Sequence, residues 1–287
     1  MPCEDSGMPE VKFAAYRQYL EQRQLVNSAV MALLAGSQLA MHTLQLTQGS
    51  ERTMSEIFPR VPHIERFNLK TETATTLLDD AEAHLSAMAI PYIIAIQESL
   101  FETFESMLVA SGATVPRKKG SITSPVWIVK RYWESIGQTL DKPSWLIFEM
   151  LIELRHDITH RAGDVGTKLM DKVKALTPEA ISLWERMAGK PFPTFVLDDK
   201  HVLDHADMVV CLAVVKFLAK EGNEIMQDCY QRSRWLADFV QDVATVQGLS
   251  GNLLQKTRGS RSFARLNYAP LAFTTKEIEG EIKAQKG

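Results

Sequence analysis

Cysteine is scarce in this chain of 287 residues: there are three, Cys3, Cys211 and Cys229, odd in number, far apart and without a Cys-x-x-Cys pair. That spacing excludes a disulfide framework and a zinc knuckle. A dominant charge is also missing. The 32 Lys and Arg face 35 Asp and Glu, for a net charge of −3, so there is no global attraction to nucleic acid and any RNA contact has to come from local basic patches. Internal repeats and extended low-complexity tracts are absent as well. The longest apolar run, Met208 to Leu218, is interrupted by Lys216, and Glu4 and Asp5 stand where a secretory signal carries basic residues. Neither a membrane span nor a leader is therefore expected, and a cytoplasmic location is the expectation. Hydrophobic residues make up 45% and charged residues 23%, the balance of a globular protein with an adequate core.

Helical spacing dominates the sequence and predicts an all-α fold. Glu10 to Gln48 reads as one long helix or two in sequence, followed by a Pro-containing connector over Gly49 to Lys70. Thr71 to Ala110 has apolar residues at helical spacing with Pro91 as an expected kink. Ser111 to Ser124 reads as a loop, Pro125 opens a short helix, and Ser144 is the expected cap of the next. Two shorter helices are expected over Asp164 to Lys174 and Thr177 to Gly189. Two stronger ones are expected over Asp199 to Gly222 and Asn223 to Val246. The expected organisation is an N-terminal helical arm and connector (1–70), a helical core (71–246) and an irregular basic tail (247–287) in which periodicity fades and Gly248, Gly251 and Gly259 accumulate.

The stretch that carries chemistry is Glu153-Leu-Arg-His-Asp-Ile-Thr-His160-Arg-Ala-Gly163, at the end of the helix that starts near Ser144. An imidazole titrates near neutrality and can take the proton of a ribose 2′-hydroxyl. A guanidinium offers several fixed donors to the negative charge that grows on the attacked phosphorane. One His and one Arg thus make a minimal metal-free nuclease. On a single helix of 3.6 residues per turn, however, Arg155 and His160 are roughly 140° apart, while His160 shares its stripe with Glu153, His156 and Asp157.

Arg155, the polar His156 and His160 five positions after the arginine resemble the motif of the HEPN superfamily, all-helical proteins many of which are metal-independent endoribonucleases. The resemblance covers this motif and its helical setting. It implies a HEPN-like bundle without a cofactor or metal, catalysis by Arg155, His156 and His160, and a homodimer in which two motifs form a composite site. It also implies a role in a toxin or defence system with an inhibitory partner protein. Under that reading RNA is held by Arg161, by Lys118 and Lys119 of the basic loop that also contains Arg117, and by Arg258 and Arg261 of the tail, where Phe263 and Tyr268 offer stacking surfaces.

Two other readings use the same residues. His156 and His160, four apart on one face, suit a metal site with Glu153 or Asp157 as third ligand, although His156-Asp157-Ile-Thr-His160 lacks the glutamate that a zincin places after its first His. His201 and His205 are a second pair at that spacing. The remaining reading is a helical interaction or RNA-binding module in which the charged stripe is a solvated face.

Overall fold

The computed structural model describes residues 9–46, 52–115, 124–248 and 253–284. Among them the chain is all-α, as its spacing predicts, with two isolated β-bridges, Thr53 to Lys70 and Asp164 to Lys200, in place of any sheet. The helices are α1 (Ala14–Gln45), α2 (Met54–Ile57), α3 (Thr71–Asp79), α4 (Ala81–Ala110), α5 (Pro125–Ser135), α6 (Lys142–His160), α7 (Thr167–Lys174), α8 (Pro178–Ala188), α9 (His205–Cys229), α10 (Arg232–Gln247), α11 (Leu253–Asn267) and α12 (Thr275–Ala284).

The core is built on α4, α6 and α9. Helix α9 packs against α4, α6 and α8, and α4 in turn against α1, α5 and α6. Their facing sides are apolar at helical spacing: Ile90, Ile94, Phe101 and Phe104 on α4, Phe148 and Leu151 on α6, Val210, Val214 and Leu218 on α9, all buried. Burying side chains of this size contributes roughly 1.5–3 kcal/mol each. Helix α4 runs through Pro91. Helix α9 runs through Gly222 and Asn223, which the sequence suggests as a boundary, and stops at Tyr230 and Gln231. Gly222 is needed where it is: a Cβ there would lie 3.0 Å from Phe104 and 3.0 Å from Trp133. Asn223 clips the N-terminal segment, its amide accepting from the Val11 N–H at 2.9 Å and donating to the Val11 carbonyl at 2.8 Å.

Two expectations about organisation are corrected. The N-terminal helix is not a separate arm over its first half. Val11, Phe13, Tyr16 and Tyr19 are buried in the core; Tyr19 donates to the Val215 carbonyl at 2.9 Å, and Arg17 forks onto the Asp242 carboxylate at 2.8 and 2.7 Å. Nor is 247–287 an irregular tail, since α11 and α12 pack on α10 and on each other. Phe263, Tyr268, Ile278 and Ile282 are buried there, and the Tyr268 hydroxyl donates to Asp242 at 2.8 Å. On α11 the buried side is partly polar, with Thr257, Ser260 and Asn267, while Arg258, Arg261 and Arg265 form an exposed stripe. A helix whose hidden face is that polar shows little hydrophobic period.

Helix α1 bears on the expectation of no span without deciding it. By length and composition alone it is able to cross a membrane, with a mean hydropathy of 1.2 over an 18-residue window that is only 11% buried.

Candidate functional site

The motif lies on α6, whose start is fixed by Asp141 rather than Ser144: the Asp141 carboxylate accepts the Ser144 N–H at 2.9 Å, and a proline occupies the first turn. Trp145, Ile147, Phe148, Leu151 and Leu154 bury one face. The helix stops at His160 because the next residues turn left-handed, Ala162 at φ 56° and Gly163 at φ 94°. In that turn both the Arg161 and the Gly163 N–H donate to the Asp157 carbonyl, at 2.9 and 3.0 Å.

Asp157 anchors the turn from within. It is 4% exposed, and its carboxylate accepts the Gly166 N–H at 2.7 Å with the Arg161 Nε 3.8 Å away. Arg161 donates onward to the Asp164 carbonyl at 3.1 Å and to Asp198 at 3.0 Å. The guanidinium expected to contact phosphate is thus engaged in tying the end of α6 to the segment before α9, where the Val165 N–H donates to the Asp199 carbonyl and the Val165 carbonyl accepts from the Asp198 N–H.

His156 and His160 are both exposed beside this turn, one helical turn apart, with ring centroids 4.6 Å from each other and planes inclined at 51°. Arg155 points elsewhere. Its Nη2 lies 3.2 Å from Glu98 of α4, and its Nε is buried without a hydrogen-bond partner. The structure therefore brings His156 and His160 together and keeps Arg155 of the same chain on the α4 side, as the helical angle requires. Glu98, which no local pattern links to the motif, is the neighbour that sequence reasoning misses.

The proposed RNA contacts are dispersed. Lys118 and Lys119 lie outside the described residues. Arg258 and Arg261 ride on α11, which packs on α10 and α12, whereas α6 packs on α4, α7, α8 and α9. Phe263 and Tyr268 are buried and so cannot stack on bases. His201 is buried against Phe195, ring centroids 4.4 Å apart, with its Nε2 3.4 Å from Asp207. Among the described residues no three or more His, Cys, Asp or Glu are grouped to hold a metal ion.

A cleft of about 510 Å³ opens at the other end of α6, lined by Asp141, Glu179, Ser182, Arg186 and Phe217 among others. With 19 residues in the helix, it is separated from His160 by about 28 Å at the usual rise per residue. Next to it, Glu221 takes the Asp141 N–H on both oxygens, at 3.2 and 3.1 Å. Burial pushes the Glu221 carboxyl up to about 7.

Comparison with known proteins gives no identification: no protein-family model, no curated protein and no solved structure matches this chain.

Proposed function

We propose that the chain is a metal-independent endoribonuclease whose proton transfers are made by His156 and His160. What supports the reading is the exposed pair of imidazoles at the open end of α6, 4.6 Å apart and held beside a rigid turn. One ring takes the proton of a ribose 2′-hydroxyl, and that oxygen attacks the adjacent phosphorus. The P–O5′ bond breaks and the second ring protonates the departing 5′ oxygen, leaving a 2′,3′-cyclic phosphate. Arg155 is the cation assigned to the phosphorane. Since helix geometry turns it away from the histidines of its own chain, toward Glu98, the reading takes the protein as a homodimer in which Arg155 of one copy leaves Glu98 to serve the histidines of the other.

The experiment is incubation with single-stranded RNA in excess chelator, for the unaltered protein and for His156→Ala, His160→Ala and Arg155→Ala. The expected outcome is cleavage to cyclic-phosphate ends that survives chelation and is lost at least about a hundredfold in each variant. Cleavage that disappears on chelation points to metal hydrolysis through the same histidines, and no cleavage of any RNA leaves a helical interaction module. That second reading draws on the apolar face left open on α1.

A further inference from the structure

Between Arg23 and Glu51 the sequence contains no Asp, Glu, Lys or Arg, yet the helix built from most of this stretch is largely uncovered. The protein's own core is met by one side of α1, through Val26, Val30 and Leu44. About 120° away runs a second apolar line, Leu25, Ala29, Ala32, Gly36, Leu39 and Leu46, all exposed, with steps of four and three that Thr43 completes. Leu25 is 66%, Leu39 70% and Leu46 87% exposed. Alternating steps of three and four keep one line in register with a partner helix, the spacing of a helix–helix seam.

We propose that this face of α1 is a homodimer seam, in which two copies pair their α1 helices antiparallel about Gly36. The sequence of the seam is complementary to itself in that direction. Antiparallel pairing sets Leu25 against Leu46, Ala29 against Thr43, Ala32 against Leu39 and Gly36 against its own copy. A large residue thus meets a small one in the inner layer, and the closest approach falls where no side chain intervenes. A two-fold axis through Gly36 closes the assembly at two chains. The lack of charge along the stretch offers nothing to select a charged partner.

Size agrees with this occupant. The exposed leucines with Leu33 on the flank, 56% exposed, leave on the order of 500 Å² per copy, or about 1,000 Å² for the pair, the least that a specific interface needs. A bilayer suits the helix less well. Gln24, Asn27, Gln38 and Gln45 make its third side polar, and α1 lies along α3 and α4, so spanning would put those amides and part of the packed domain into hydrocarbon. The seam belongs to α1 and does not depend on the nuclease reading.

The test measures mass by sedimentation velocity at tens of micromolar, without lipid, for the unaltered protein, Leu25→Glu and Leu39→Glu. A dimer is expected for the first and association weakened about a hundredfold or more for each variant, with circular dichroism unchanged because both positions face solvent in the single chain, and with the thermal midpoint that the unaltered protein has when diluted to monomer. Direction is read by cross-linking in a Cys3→Ser background: Leu25→Cys mixed with Leu46→Cys forms a disulfide-linked dimer, and Leu25→Cys alone does not. A third arm floats the protein with phosphatidylglycerol-containing vesicles. A monomeric wild type, a dimer indifferent to Leu39→Glu, or linkage of Leu25→Cys to itself overturns the proposal. So does vesicle binding that Leu39→Glu abolishes, which would make lipid the occupant.

Discussion

Replacing Asp157 by alanine tests whether the end of α6 is held as the structure indicates. Three consequences add up. The Gly166 N–H, which now donates to the carboxylate at 2.7 Å, loses its acceptor in a place where water does not reach, and a hydrogen bond to a charged group is worth about 1.5–3 kcal/mol. Gly166 is also the N-cap residue of α7, so the lost contact loosens a helix start. Finally, Arg161 keeps its bonds to Asp164 and Asp198 but loses the buried carboxylate beneath it. The total is about 2–4 kcal/mol, a fall in thermal midpoint of roughly 4–16 °C at 2–4 °C per kcal/mol. Asp157→Asn keeps one oxygen for the Gly166 N–H and is expected to lose about half as much. Calorimetry measures both, and amide exchange at Gly166 locates the effect. If Asp157→Ala costs under about 0.5 kcal/mol, the level of an ordinary surface change, or if Asn and Ala cost the same, the account of this turn is refuted.

Glu221 gives a pH dependence of definite sign. Its carboxyl is raised to about 7 in the folded protein, chiefly by burial, against about 4.3 in an unfolded chain. The folded state therefore holds the proton more tightly, and stability falls as pH rises from about 4.5 through 7. With partial exposure the loss is held to about 1–2 kcal/mol. Glu221→Gln should flatten that decline in urea titrations at pH 5 and pH 8, and an equal decline in both proteins would remove Glu221 as its source. Gly222→Ala sets two effects against each other. Alanine is better in a helix by about 1 kcal/mol, but its Cβ at 3.0 Å from both Phe104 and Trp133 overpacks the core by about 1–3 kcal/mol. A net loss of up to about 2 kcal/mol in denaturant unfolding is expected, and a gain would show that these rings move aside.

What the sequence makes legible is the length and type of most helices, because buried α4, α6 and α9 carry an apolar stripe of plain helical period. It misleads where residues that usually end helices serve packing instead. Gly222 and Asn223 look like a stop, yet one makes room for two aromatic rings and the other grips Val11. The real stop at Tyr230 and Gln231 has no glycine or proline to announce it. Thr177, from which the sequence starts a helix, is the opposite case: its hydroxyl caps that helix, accepting the Ala180 N–H at 3.3 Å. Helix α11 escapes notice because Ser260 and Asn267 lie on its buried side. At the candidate site, the separation of Arg155 from His160 follows from helix geometry alone. The pairing of Arg155 with Glu98, 57 residues earlier, leaves no trace in local pattern.

The grip of Asn223 on Val11 spans 212 positions, and Arg17 reaches Asp242 across 225. In the order of synthesis, the segment from Val11 to Tyr19 is made well before the helices it docks on. Phe13, Tyr16 and Tyr19 emerge from the ribosome long before α9 and α10 exist to cover them, and at usual elongation rates they wait on the order of 10 seconds or more. Throughout that interval α1 offers water both its core-facing side and its open apolar line. Until α9 and α10 form, this uncharged apolar helix is open to premature association with neighbouring chains.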